Sequence, residues 1–336
     1  MSLKRPTIVD VAERAGVSKS LVSLVMRGSP RVGEDSRNAV MRAADELGYR
    51  PNAVARSLVR QSSGVFGCIL ADLHNPYYAD VADGIEEAAS HGGYRAILSS
   101  GFLDPGREAG AVETLLQLQA DGLILLGPMM AMARIDATAR LIPLVVVGRK
   151  ARSHALDSVR NDDEAGSAAV VDHLVELGHE HVAHIHAGAI GASGGRRQGY
   201  ERAMTRHGLE RHIRSVRGAF TEAGGMAAMR SMIETGDLPT AVFVTNDLAA
   251  MGALEALAAA GLRVPEDVSL VGYDDIITSH SARVALTTVA QPSVEIGQRA
   301  VGLLMERVGQ GRTRAHHVVL PPRLVVRGST AAPRAR

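Results

Sequence analysis

The stretch KSLVSLVMR, Lys19 to Arg27, carries short hydrogen-bonding and cationic side chains at helical spacing. Advancing about 100° per residue from Lys19 puts Lys19, Ser20, Ser23 and Arg27 on one polar face. Leu21, Val22 and Val25 fall on the opposite face, and Leu24 on the shoulder between them. Such a polar face can meet base edges: lysine donates to guanine O6 or N7, and serine reads bases with little discrimination. Enzyme chemistry is not visible elsewhere. No G-x-G-x-x-G or G-x-x-x-x-G-K-[ST] occurs, and the only G-x-G, Gly309 to Gly311, lacks a third glycine. Four histidines gather in HEHVAHIH, at 179, 181, 184 and 186. His184 and His186 share a strand face that would suit Zn²⁺, but His179 and His181 belong to the preceding turn and no acid or cysteine completes the set. No metal, cofactor or catalytic constellation is expected.

The elements that position the 19–27 face are legible. Thr7 precedes IVDVAERA with Asp10 three residues on, an N-cap with an acid in the first turn. Gly16 suits the left-handed stop of that helix, and Ser18 caps the next. EDSRNAVMRAADELGY forms a third helix with Val40, Ala44 and Leu47 as its apolar stripe. Three short helices with a tight glycine turn between the first two make a helix-turn-helix unit. YRPNAVARSLVR follows directly. Pro51 suits a first helical position, and the segment from about 51 to 59 is too short to hold as a helix alone.

Charge supports a polyanion partner for this head. Residues 1–60 hold 11 Lys/Arg against 6 Asp/Glu, while the other 276 hold 26 against 30, so a basic head precedes a mildly acidic remainder of a 336-residue chain. That length implies more than one domain. Hydrophobic content of 46% and charged content of 22% are those of a globular protein, with a core of aliphatic residues because aromatics are 3%. The single Cys68 excludes an internal disulfide, and no apolar run approaches the roughly 18 residues that span a bilayer. With no apolar stretch in MSLKRPTIVD to act as a signal peptide, the expected location is the cytoplasm, away from membranes.

After the polar boundary QSSG the chain alternates apolar strands and amphipathic helices. The strands read as VFGCILAD, YRAILSS, GLILLG, IPLVVVG, HVAHIHA, AVFVTN, VSLVGYD and LTTVAQ. Near-continuous apolar runs of this kind belong to parallel sheets covered on both faces. An α/β body of two similar subdomains is expected.

TIVDVAERAGVS and ELGYRPNAVARSL, at their separation, resemble the DNA-binding head of the lactose-repressor (LacI/GalR) family of bacterial transcription regulators. The resemblance runs on through DLHNPYYADVADGIEEAA, DGLILLG, VRNDDEAG, LGHEHVAHI, RRQGYERAM, TNDLAAMGALEALAAAGLRVPEDVSLVGYDD and LTTVAQP, and so covers nearly the whole chain. It implies an all-α helix-turn-helix head over 1–60, with a hinge helix over about 51–59. It also implies a periplasmic-binding-protein-like effector and dimerisation body over 61–330. The N-subdomain would comprise about 62–160 plus 290–320, and the C-subdomain about 161–288 plus 321–330. The family's base-reading positions match Lys19, Ser20 and Leu24, with Ser18 and Ser23 nearer the phosphates; Thr7, Arg27 and Asn52 complete the DNA-contacting set. The family's hinge leucine, which wedges into the minor groove and kinks the duplex, matches Leu58. Many relatives carry Arg, His or Asn where this chain has Leu24, which could touch a thymine methyl or tuck against the first helix.

The resemblance also implies a ligand between the subdomains, outside the carboxyl ends of the strands. The matching residues are Asn75, Tyr77, Tyr78, Arg149, Arg196, Phe220, Asn246, Asp274 and Gln291. Their types offer directional donors and acceptors to hydroxyls and aromatic faces to a sugar ring. Gly148 stands where pentose-type pockets place an acid, so a ligand bearing a carboxylate or phosphate, paired with Arg149 and Arg196, is an alternative to a neutral sugar. The implied protein is a homodimeric repressor of a carbohydrate-use operon. It would bind a pseudo-palindromic double-stranded operator under the control of a sugar-like effector. The competing readings are a solute-binding transport component, which would have a signal peptide and no head, and an α/β enzyme fused to a DNA-binding head.

Overall fold

The computed structural model describes residues 6–26, 28–50, 62–189, 191–282 and 285–334. Arg27, Asn52, Leu58 and the expected hinge helix lie outside the described residues. The chain divides into two compact units, Met1–Ser63 and Gly64–Arg336.

The first unit is three helices: α1 (Ile8–Ala15), α2 (Lys19–Met26) and α3 (Glu34–Leu47). Thr7 and Asp10 cap α1 reciprocally: the Asp10 amide donates to Thr7 Oγ1 and the Thr7 amide to Asp10 Oδ2 at 2.6 Å. Gly16, at φ 67°, ends α1 in the left-handed region and turns the chain into α2. Ser18 Oγ accepts from the Leu21 amide at the start of α2. Val11, Ala12, Val22, Val25, Val32, Val40, Ala43 and Ala44 form the core beneath them.

The second unit carries two parallel sheets. The first joins β1 (Val65–Leu70), β2 (Arg95–Ser100), β3 (Gly122–Leu126), β4 (Leu144–Val147), β5 (Asp157–Asn161) and β11 (His317–Leu320), in the order β11-β5-β4-β3-β1-β2. Its two faces bury alternate residues. Phe66, Cys68, Leu70, Ile124 and Leu126 pack beneath α4 (Pro76–His91) and α11 (Ser293–Gln310), while Ile69, Leu123 and Leu125 pack with α5 (Pro105–Gln117) and α6 (Met132–Ala139). Alternation across a sheet covered on both sides is why these strands read as unbroken apolar runs.

The second sheet runs β7 (Arg214–Arg217), β6 (Val182–His186), β8 (Ala241–Val244), β9 (Ser269–Val271). One face packs on α9 (Glu222–Glu234) and α10 (Asp247–Ala259) and the other on α7 (Asp163–Glu176) and α8 (Ala192–Arg206). A short antiparallel ribbon of β10 (Thr288–Ala290) and β12 (Arg323–Val325) continues beside β9 through the parallel Val271–Thr287 and Asp274–Ala290 bridges. The chain therefore passes between the two sheets after β5, after β10 and after β11. The result is the expected fold class: a helical head and an α/β body of two parallel-sheet subdomains.

Four strands are not among those expected from the sequence. β5 (DSVRN), β7 (RSVR), β11 and β12 carry charged or exposed residues. β7 and β11 lie at sheet edges, where one side faces solvent and a continuous apolar run is not needed. β5 is held differently. Its Asp157, fully buried, accepts from Arg307 Nε at 2.6 Å and Nη2 at 3.1 Å, from Arg312 Nη2 at 2.8 Å and from the His316 amide at 2.7 Å. Burial raises its pKa, but the arginine hydrogen bonds outweigh it and hold the carboxyl below its ordinary value. This clamp ties α11 and the approach to β11 onto β5.

Candidate functional site

In the head, Thr7, Ser18, Lys19 and Ser20 are exposed, and Ser23 and Leu24 are half-buried. Leu24 packs against the head core alongside Leu21. The side of α2 that carries Lys19 and Ser20 is open, because Val22 and Val25 take the core-facing positions.

In the body, a cavity of about 50 Å³ lies at the carboxyl ends of the strands, between the two sheets. From the first subdomain it is lined by Asn75, Tyr77 and Tyr78 at the start of α4, by Gly127 to Met129 after β3, by Gly148 after β4 and by Asn161 at the end of β5. From the second come Asp163, Gly191, Ala192, Arg196, Phe220 and Asp274, with Gln291 beyond β10. Seven of the nine expected ligand residues are thus brought together: Asn75, Tyr77, Tyr78, Arg196, Phe220, Asp274 and Gln291.

Local structure fixes each of them. Asn75 caps α4, its Oδ1 accepting from the Tyr77 amide at 3.1 Å, which sets both tyrosines in the first helical turn. Their rings meet edge to face at 5.3 Å. Gly127 must be glycine: a Cβ there would lie 2.3 Å from the Tyr78 hydroxyl. Arg196 is buried on α8. Its Nε donates to Asp163 Oδ1 at 3.0 Å, Nη1 donates to the Thr245 carbonyl, and Nη2 lies 3.5 Å from Asp274 Oδ1. Its guanidinium stacks over the Tyr273 ring at 3.7 Å. Burial disfavours its charge, but Asp163 and Asp274 outweigh that and raise its pKa.

Asp274 sits at φ 122°, in backbone that only glycine adopts freely. Its amide donates to Val289, and Gln291 Nε2 donates to its Oδ1 at 2.6 Å. Asn75 Nδ2 reaches its Oδ2 from the other subdomain at 3.5 Å. Burial pushes the Asp274 carboxyl up to about 6, against the opposing effect of Arg196. Behind it, Asp247 is buried between Thr288 Oγ1 and the Ile276 amide, and burial with nearby Asp274 pushes it up to about 7.

Arg149 and Asn246 are not among the lining residues. Arg149 Nη1 donates to the carbonyls of Pro128 and Met130, at 3.3 and 2.6 Å, and Glu108 Oε2 accepts from the amides of Met129 and Met130. The pair shapes the 128–130 loop from outside. Asn246 caps α10 and donates to the Phe220 carbonyl at 3.1 Å, so it fixes the loop that presents Phe220. Backbone carbonyls accept from Arg149 Nη1 and Asn246 Nδ2, and neither residue lines the cavity.

The cavity also gains residues that the sequence did not single out. Asp163 and Asn161 lie within VRNDDEAG, and acids before a helix read first as caps. Only the return of α8 against α7 shows that Asp163 pairs with Arg196. The histidines are structural: His184 Nδ1 lies 3.0 Å from the Phe243 carbonyl, and burial lowers its pKa to about 3, while His179 bonds Thr240, Ser269 and the Ala331 carbonyl. No group of three or more metal-binding side chains occurs among the described residues. No helix among the described residues is long and apolar enough to cross a membrane.

The profile described as bacterial regulatory proteins, lacI family, matches residues 7–52, and that of a periplasmic binding protein-like domain matches residues 171–330. Catabolite control protein A of Priestia megaterium is 33% identical over 335 residues, covering 96% of this chain and 99% of its own length. The lac repressor dimer bound to operator and the anti-inducer ONPF superposes with a TM-score of 0.84 at 29% identity, over 98% of this chain and 100% of that one. The complex of the transcriptional regulator CelR with cellobiose gives a TM-score of 0.71 at 31% identity, over 97% and 100% of the two chains. Matched from head to body along nearly its whole length, the chain belongs to the lacI family of bacterial regulatory proteins, transcription regulators and not enzymes.

Proposed function

We propose that the chain is a repressor that binds a pseudo-palindromic operator as a homodimer and releases or tightens it when a small sugar-like effector enters the body cavity. The regulated genes would be a carbohydrate-use operon. The observation that carries this reading is the cavity itself. It gathers Asn75, Tyr77 and Tyr78 from one subdomain and Arg196, Phe220 and Asp274 from the other, in a chain whose head folds as a helix-turn-helix. The solved relatives point the same way, one being a dimer on operator with a bound anti-inducer and another holding cellobiose.

In this reading α2 lies in the major groove, with Lys19 and Ser20 on base edges, Leu24 at the edge of the contact, and Ser18, Ser23, Thr7, Arg27 and Asn52 on the backbone. Leu58 supplies the minor-groove wedge. The cavity has room for only a few water molecules, so a sugar ring is admitted as the subdomains part and is then gripped from both sides. The Asn75–Asp274 contact across the cleft is one that a ligand would replace or reinforce. The coupling needed is modest, about 1–3 kcal/mol for a typical allosteric effect.

A gel shift with the upstream region of the neighbouring operon tests the DNA reading: the full chain retards the fragment and a chain lacking residues 1–60 does not. Equal retardation by both would overturn it. A melting-temperature screen of sugars tests the effector reading: a stabilising ligand is expected whose effect is lost in Asp274→Ala.

A further inference from the structure

The charge lining the cavity bears on which ligands it admits. Among the described residues that line it, the acids are Asp163 and Asp274 and the sole base is Arg196, all buried. Arg196 is engaged on several sides: Nε donates to Asp163 and Nη1 to the Thr245 carbonyl, Nη2 pairs with Asp274, and Tyr273 covers its face. Asp247 adds a third buried carboxyl directly behind Asp274. The other cations nearby are not among the lining residues. Arg149 bonds the Pro128 and Met130 carbonyls, and Arg160 donates to the Asn161 carbonyl. Burial raises the pKa of Asp163, against the opposing effect of Arg196 and Arg160. The alternative of an anionic ligand paired with Arg149 and Arg196 thus meets only Arg196 at the cavity wall, already paired with two carboxylates. An incoming carboxylate or phosphate would face two buried carboxylates in a medium where like charges repel strongly.

A second feature points to what the cavity does accept. Asn161 is 2% exposed; its Nδ2 donates to the Tyr273 hydroxyl at 2.6 Å, and its Oδ1 has no hydrogen-bond partner among the described residues. A buried amide end left open at a cavity wall carries a cost that a ligand group removes. A hydroxyl both donates and accepts, so it satisfies either end of that amide. A ligand hydroxyl or ammonium also donates to the carboxylates.

We propose that this cavity selects an uncharged polyol or an amino sugar over its carboxylated and phosphorylated counterparts, the excess of carboxylate around Arg196 being the excluding element and Asn161 a contact to a ligand hydroxyl. The inference rests on the effector reading above. The test is a melting-temperature and calorimetric screen of the full chain against mono- and disaccharides. Each is paired with its uronic acid, phosphate ester and amino derivative; ribose with ribose 5-phosphate, and glucose with glucuronate, glucose 6-phosphate and glucosamine, are the first sets. The expected result is stabilisation confined to neutral and amino members, with the anionic partner of each weaker by about tenfold or more, the scale that like-charge juxtaposition commands. In Asp274→Asn the gap between a sugar and its phosphate should narrow, and Asn161→Leu should weaken the neutral ligand while sparing the discrimination. An acid or phosphate that binds as tightly as its parent overturns the inference and leaves the effector reading standing. If no member of any class binds, both fall. If Asp274→Asn does not fold, the paired ligands on the unaltered chain still decide.

Discussion

Asp247 and Asp274 sit within one buried cluster, and their titration has a definite sign. Burial raises Asp247 to about 7 and Asp274 to about 6, both above a carboxyl in an unfolded chain. Between pH 4 and 7 the folded protein therefore holds protons that the unfolded chain has lost. Their contribution to stability is complete at low pH and declines as pH rises through these values. Asp247→Asn removes one such group, so the variant's melting temperature relative to the unaltered protein should be higher at pH 8 than at pH 5; a constant difference would contradict the assignment. Leu24 belongs to the same scale. It packs on the head core yet stays half-exposed, so Leu24→Ala is expected to relax preference at one base pair in a binding-site selection with the head still folded. A head that no longer folds would place Leu24 wholly in the core.

At the scale of elements, close approach and capping do most of the work. α9 and α10 meet glycine to backbone: a Cβ on Gly225 would lie 1.9 Å from the Ala249 carbonyl, and one on Gly252 1.9 Å from the Glu222 carbonyl. Gly252→Ala must push the helices apart and is expected to cost about 1–3 kcal/mol in denaturant unfolding. Asp157 joins β5 to α11 through two arginines. Asp157→Ala leaves those guanidinium groups without their partner and is expected to cost about 3–5 kcal/mol, more than any surface ion pair here. In the head, Thr7→Ala removes half of a capping box, with an expected loss of about 1 kcal/mol of head stability and weaker operator binding in proportion.

For the whole molecule, the proposed regulation is a linkage between two sites on one chain. If effector changes operator affinity by some factor, operator changes effector affinity by the same factor. Calorimetry of the ligand with and without operator fragment measures one side, and gel shift with and without ligand the other. Unequal factors would mean that the two sites are not joined by a single equilibrium. The three strand-to-strand passages between the body sheets are the segments that would bend in such a change, and two of them adjoin lining residues of the cavity: Asn161 and Asp163 flank the passage after β5, and Gln291 follows β10.

The sequence by itself determined the head helices, the central strands of both sheets and their order, but not β5, β7, β11 and β12. Helix caps, glycine stops and unbroken apolar runs are local signals that report α1, α2 and the central strands directly, since each depends on neighbours a few residues away. Seven of the residues around the cavity were legible from motif positions. What only the tertiary structure decided was partnership. Asp163 and Asp274 are 111 positions apart and meet through Arg196, while Arg149 and Asn246, equally eligible by type, are held by carbonyls that the sequence does not place beside them. A side chain's type states what it can bond to; which partner reaches it first depends on how distant segments pack. The cavity's charge balance was therefore a property of the fold and not of any one stretch of chain.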